Sequence, residues 1–162
     1  MYNFSVSQDS TNEAFYDDLI GAAKALADGE PDAIANMANI SALIWQYVAD
    51  LNWAGFYRVI DGELVLGPFQ GKSACIRIAM GKGVCGAAAE SGLTQRIADV
   101  HAFPGHIACD AESRSELVIP IFKDQKVIAV LDLDSPNEDR FGAEDQTGLE
   151  QLIKAITPSL SQ

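Results

Sequence analysis

S-E-L-V-I-P-I-F-K-D-Q-K-V-I-A-V-L-D-L-D-S, residues 115 to 135, contains two apolar runs, 117–122 and 127–133, joined by the polar Lys123-Asp124-Gln125-Lys126. Short runs rich in Val, Ile and Leu around so brief a link read as paired antiparallel strands, each buried on at least one side. This hairpin is the centre of the fold. Charge gathers at its open end, with Glu116 beginning the first strand and Asp132 and Asp134 ending the second. Residues two apart leave a strand on one face, so the two aspartates share a face while Leu131 and Leu133 take the other. Such a pair is either solvated at a fraying strand end before Ser135-Pro136, or receives a ligand cation, or keeps one carboxyl protonated as an acid. Register decides whether Glu116 joins them. A link with an even number of residues pairs Glu116 with Leu133 and turns it away, whereas an odd link or a bulge sets it beside an aspartate; the second is expected.

Working outward, Trp53, Gly55, Tyr57 and Val59 alternate with Asn52, Ala54, Phe56 and Arg58, and Asp61-Gly62 returns the chain into Leu64-Val65-Leu66 as another hairpin. Gly67 and Pro68 are expected to interrupt it, and 74–80 to form a short strand with Cys75 near its start. The run Gly81-Lys82-Gly83-Val84-Cys85-Gly86 lacks phosphate-loop spacing and reads as a tight turn into a short helix over 87–91, stopped by Gly92. A strand follows over 94–98, then a long irregular segment, 99–114, holding His101, Pro104, Gly105, His106 and Cys109.

Helices flank these strands. Ser10 and Glu13 suggest a capping box for a helix over 11–28, stopped by Gly29. Pro31 opens a second helix to about residue 50, with Ile34, Met37, Ala38, Ile44, Trp45 and Val48 as its core face. A last helix runs from 143 to about 156 and is ended by Pro158. The order gives one α+β domain over 1–162: an antiparallel sheet with helices from both termini on one face and a pocket roofed by 81–114 on the other.

The net charge of -12, from 11 Lys+Arg and 23 Asp+Glu, argues against nucleic acid and anionic membrane surfaces as partners. No apolar run reaches the roughly 20 residues of a membrane span, and the opening Met-Tyr-Asn-Phe-Ser-Val-Ser-Gln lacks signal-peptide regions, so a cytoplasmic location is expected. Three cysteines without a C-x-x-C pair do not make a structural disulfide framework; the thiols stay free unless they cycle. His101, His106 and Cys109, with Cys75 or Cys85 as a fourth ligand, miss the usual zinc spacings, and no metal is expected.

The runs N-W-A-G-F-Y (52–57), G-P-F-Q-G-K (67–72), A-C-I-R-I (74–78), G-K-G-V-C-G (81–86), F-P-G-H-I-A-C-D (103–110), S-E-L-V-I-P (115–120) and L-D-L-D-S (131–135) resemble the free methionine-(R)-sulfoxide reductases, a GAF-domain family. The likeness covers nearly the whole chain, and the cysteine spacings of 10 and 24 residues are those of the family. It implies a GAF fold and reduction of free L-methionine-(R)-sulfoxide without a cofactor. By the same resemblance Cys109 attacks the sulfoxide and becomes a sulfenic acid, Cys75 resolves it to a disulfide, and a thioredoxin-type dithiol restores both. Cys85 matches a third family cysteine, as alternative resolver, relay or pocket lining. Trp53 resembles the family's aromatic wall against the S-methyl group, and Tyr57 is either part of that wall or core. Glu116 and Asp134 would lie near the sulfoxide oxygen, one of them protonated, and Asp132 would help hold the ammonium. The substrate carboxylate would meet backbone N–H groups of 81–86 or 103–109. Family members often pair through terminal helices, which makes a homodimer compatible with the resemblance.

The chemistry fits. A sulfoxide sulfur is electrophilic only when its oxygen is protonated or strongly hydrogen-bonded, so the reaction needs a thiol and an acid. Neighbouring carboxylates should, however, raise a thiol pKa until bound substrate neutralises them. The rival readings are a GAF module that binds a small molecule as a sensor and a thiol redox switch without turnover.

Overall fold

The structure, a computed structural model, describes residues 12–105 and 111–161. Helices α1 (Asn12–Ala27) and α2 (Ala33–Tyr47) precede strands β1 (Trp53–Ile60), β2 (Glu63–Gly71) and β3 (Arg77–Ala79). Helix α3 (Gly83–Ser91), strand β4 (Gln95–Ile97) and a 3-10 turn at Val100–Ala102 follow. Strands β5 (Ser115–Lys123) and β6 (Lys126–Ser135) then lead to helix α4 (Ala143–Leu160). The strands form one antiparallel sheet in the order β3-β2-β1-β6-β5-β4.

Both hairpins turn on two residues with left-handed backbone, Asp61-Gly62 (φ 51° and 84°) and Asp124-Gln125 (φ 49° and 65°), the geometry that matches strand twist. The β5–β6 link is thus even, yet Glu116 pairs with Asp134. A bulge accounts for the difference. Lys123 pairs with Lys126 and Phe122 with Val127, but Ile121 pairs with Ala129, leaving Ile128 as the extra residue. Without it Glu116 would face Leu133, so the expected juxtaposition is present and this one residue produces it.

Strand alternation sorts the core into two layers. Ala54 and Phe56 of β1, Leu117, Ile119 and Ile121 of β5, and Ala129, Leu131 and Leu133 of β6 pack against α1, α2 and α4. The other face of the same strands presents Trp53, Tyr57, Val118 and Val130 to Val84, Cys85, Ala88 and Ala89 of α3. The helical layer covers one side of the sheet, and the candidate site occupies the other. This is the expected α+β arrangement, and no helix among the described residues is long and apolar enough to cross a membrane.

Several local expectations need correction. Gly67 and Pro68 do not end β2; they sit together opposite Phe56 as a bulge, since Gly55 pairs with Phe69 and Tyr57 with Leu66. A bulge is one of the places where a strand tolerates proline. The strand expected over 74–80 is only Arg77–Ala79, so Cys75 precedes it. Pro158 lies inside α4, which continues to Leu160 because Leu160 is buried in the helical core. On α2, Asp32 caps the helix through Ile34 N and Ala35 N, and the buried stripe is Met37, Ile40, Ser41, Leu43 and Ile44. Ile34 and Ala38 are exposed and Trp45 is 40% exposed, because a helix lying on a sheet buries one stripe and these three fall outside it. Gly29 closes α1 with φ 74° as expected, while Ser10 lies outside the described residues.

Candidate functional site

Three strands bring the site together row by row. Trp53 of β1 pairs with Asp134 of β6, which pairs with Glu116 of β5; in the next row on the same face Gly55 pairs with Asp132, which pairs with Val118. Four of the expected site residues thus stand on adjacent rungs of one sheet face. They line a cleft with Tyr57, Cys85, Ser113 and Lys82. Cys85 enters it from the first turn of α3, whose start is pressed against β3: a side chain at Gly86 would meet the Ala79 carbonyl at 2.5 Å.

The aromatic wall is a stack of three rings. Trp53 lies 5.8 Å from Tyr57 and 5.2 Å from Phe69, with interplanar angles of 22° and 12°. Gly55 makes the stack possible, since a Cβ there would fall 2.3 Å from Phe69 Cβ. The polar tips of two rings hold the neighbouring loop. Trp53 Nε1 donates to the Lys72 carbonyl at 3.1 Å, and the Tyr57 hydroxyl donates to the Cys75 carbonyl at 3.0 Å. Tyr57 is therefore both core and cleft wall, and it also tethers the segment that bears Cys75.

Burial sets the electrostatics. Cys85, Glu116 and Asp132 are 4%, 5% and 6% exposed, and Cys85 Sγ lies 3.9 Å from Glu116 Oε1. Desolvation first, then the charges of Asp132 and Asp134, hold Glu116 well above the usual carboxylate range. Asp132 rises to about 6, pushed up by burial and restrained by hydrogen bonds with Cys85 and Glu116. The Cys85 thiol is also raised, by burial and then by Asp132 and Glu116. A helix N-terminus ordinarily favours thiolate, but here burial beside carboxylates wins. The shifts favour the neutral forms of Glu116 and of the Cys85 thiol, which is placed to donate a hydrogen bond to Glu116 Oε1, and Asp132 ionises more readily than Glu116. The same burial, followed by Asp132 and Cys85, pushes the Tyr57 hydroxyl far above its ordinary value.

Cys75 is half-buried beside the cleft and disulfide-bonded. Cys109 and His106 lie outside the described residues. His101 is exposed on the 3-10 turn, its backbone N–H donating to Asp99 Oδ1. Sequence reasoning missed Phe69, Lys82 and Ser113. Phe69 was signalled by the G-P-F-Q-G-K run, but only the bulge directs it onto Trp53; Ser113, which accepts a hydrogen bond from Asn52 Nδ2 at 3.0 Å, carried no pattern of its own.

A curled antiparallel sheet with terminal helices on one face and a loop-roofed cleft on the other defines a GAF domain, and the family model described as "GAF domain" matches residues 16–160. Within that class, the chain belongs to the free methionine-(R)-sulfoxide reductases. It is 51% identical over 147 residues to the free methionine-R-sulfoxide reductase of Escherichia coli, covering 91% of this chain and 89% of that one. The Saccharomyces cerevisiae protein of the same name is 43% identical over 161 residues, covering 94% and 89%. The structure of the Neisseria meningitidis free methionine-R-sulfoxide reductase in complex with its substrate superposes with a TM-score of 0.94 at 40% identity, covering 99% of this chain and 96% of that one.

Proposed function

We propose that the chain reduces free L-methionine-(R)-sulfoxide to methionine by thiol chemistry. The observation that supports this most is the placement of Glu116, buried at the wall of a cleft lined by Trp53 and two further carboxyls, where desolvation and those carboxyls favour its neutral form. Such an acid can protonate a sulfoxide oxygen at neutral pH and so make the sulfur electrophilic. The names of the relatives agree with this reading.

In the proposed sequence the Cys109 thiolate attacks the sulfur while Glu116 donates to the oxygen. The S–O bond breaks, the oxygen passes to Cys109 as a sulfenic acid, and methionine leaves, its sulfur reduced by two electrons as that of Cys109 is oxidised by two. The Cys75 thiol then displaces water from the sulfenic acid to form a disulfide, and a thioredoxin-type dithiol exchanges with it to restore both thiols. Asp132 and Asp134 receive the substrate ammonium, Trp53 packs against the S-methyl group, and the first N–H groups of α3 with Lys82 meet the carboxylate. Cys85 lines the cleft as a donor. The cycle suits a reducing cytoplasm, where a dithiol reductant is maintained.

The test counts free thiols in the reduced protein after one equivalent of free L-methionine-(R)-sulfoxide, with the (S) epimer and a blocked peptide sulfoxide as controls. Loss of two thiols with the free (R) form alone is expected. Cys109→Ser should abolish methionine formation, and Cys75→Ser should stall after about one turnover. Undiminished cycling in Cys109→Ser, or no thiol loss with any sulfoxide, would overturn the reading in favour of a ligand-binding GAF module.

A further inference from the structure

We propose that Cys85, Glu116 and Asp132 form a binding site for one divalent cation of the zinc type. Each offers one ligand atom, and the three atoms lie within 4.8 Å of one another. The Cys85 sulfur and Glu116 Oε1 are 3.9 Å apart. With metal bonds of about 2.3 Å to sulfur and about 2.0 Å to oxygen, two ligands of a tetrahedral ion sit roughly 3.5 Å apart, so a small rotamer adjustment closes the set.

A separate observation points to a ligand. Asp132, 6% exposed and lining the cleft, has its Oδ1 buried with no hydrogen-bond partner among the described residues. A buried acceptor without a donor is destabilising, and a bound cation is one way to satisfy it. The donor set then selects the ion. A thiolate with carboxylates suits zinc or cadmium, whereas magnesium and calcium require more oxygens and no sulfur. Coordination removes the thiol proton, and a tetrahedral ion with three protein ligands takes water in its fourth position. Of these ligands only Cys85 belonged to the set weighed in the sequence, where it stood as a possible fourth ligand, and the site departs from the expectation of no metal.

An ion held here would occupy the acid and the thiol donor that face the sulfoxide in the proposed reaction, so cation and substrate would exclude one another. That consequence rests on the proposed function; the site itself does not. The experiment titrates cadmium into the Cys75→Ser/Cys109→Ser protein, whose single remaining thiol is Cys85, and follows the cadmium–thiolate charge-transfer absorbance. Saturation at one cadmium per chain is expected. Glu116→Gln and Asp132→Asn in that background should each weaken binding by roughly tenfold or more, the loss that even an outer-shell partner's removal can cause, with the circular dichroism spectrum unchanged. If one of the two fails to fold, the other decides. Absence of the band in the double variant, or an affinity that neither carboxylate substitution moves, would overturn the proposal, the latter marking a lone thiol with an adventitious ion only. Both redox cysteines of the proposed cycle are absent from this protein, so the titration is decided independently of turnover.

Discussion

Asp132 is buried in a position that favours its neutral form, and stability should report this. Its carboxyl moves from 3.8 to about 6, chiefly through desolvation. The folded state therefore binds the proton more tightly than the unfolded chain: the contribution is fully present below pH 3.8 and is lost as pH rises through about 6. At about 1.4 kcal/mol per pH unit this amounts to roughly 3 kcal/mol. Asp132→Asn cannot ionise, so its stability relative to the parent should improve by roughly that much between pH 3.5 and pH 7. Urea unfolding of both proteins at the two pH values measures it; a difference independent of pH would show that ionisation of Asp132 does not oppose folding. The proposed chemistry predicts that the more stable protein is the poorer enzyme, because the cleft retains carboxylates that packing alone disfavours.

At the scale of elements, α1 and α4 meet at a contact that admits no side chain. A Cβ on Gly148 would fall 2.1 Å from Tyr16 Cγ, and that ring is anchored by its hydroxyl, which donates to Asp145 Oδ1 at 2.6 Å. Gly148→Ala should destabilise the protein by about 1–3 kcal/mol, the overpacking outweighing alanine's better helix propensity. Gly21, exposed on α1 with nothing near, is the control: Gly21→Ala should stabilise by about 0.5–1 kcal/mol. Urea midpoints for the pair separate packing from propensity, and equal shifts would refute the contact. The elements were largely legible in the sequence because they rest on periodicity and turn chemistry, as at Asp61-Gly62 and Gly92. What escaped was decided by tertiary packing. Pro158 reads as a helix stop until Leu160 is seen buried beyond it; Trp45 reads as core until the buried stripe of α2 is seen to exclude it; Gly67-Pro68 reads as a break until Phe56 is seen opposite both. The acid row was legible as an alternative, since its register hung on a bulge that no residue type announces.

Across the whole molecule, the excess of 23 acidic over 11 basic residues opposes compaction. Surface ion pairs such as Lys72–Glu112, Arg77–Glu63 and Arg114–Glu138 are exposed and contribute little. Salt should therefore stabilise: raising ionic strength from about 0.01 to about 0.15 M shortens the screening length from about 30 to about 8 Å, and the urea midpoint should rise. A fall would mean that the pairs outweigh the general repulsion. The division of labour between the two sheet faces keeps this repulsion apart from the helical core, which is apolar. It also gives the extra residue at Ile128 a meaning for descent. Between Glu116 and Asp134, losing or gaining a single residue exchanges the two faces of one strand relative to its neighbour and sends an acid into the helical core. A lineage can lengthen the link by two residues, or exchange the bulge for an odd link, but one codon inserted or deleted leaves an intermediate without a site. Point substitution leaves the register of this hairpin intact, while its length is isolated by a mutational valley one residue wide.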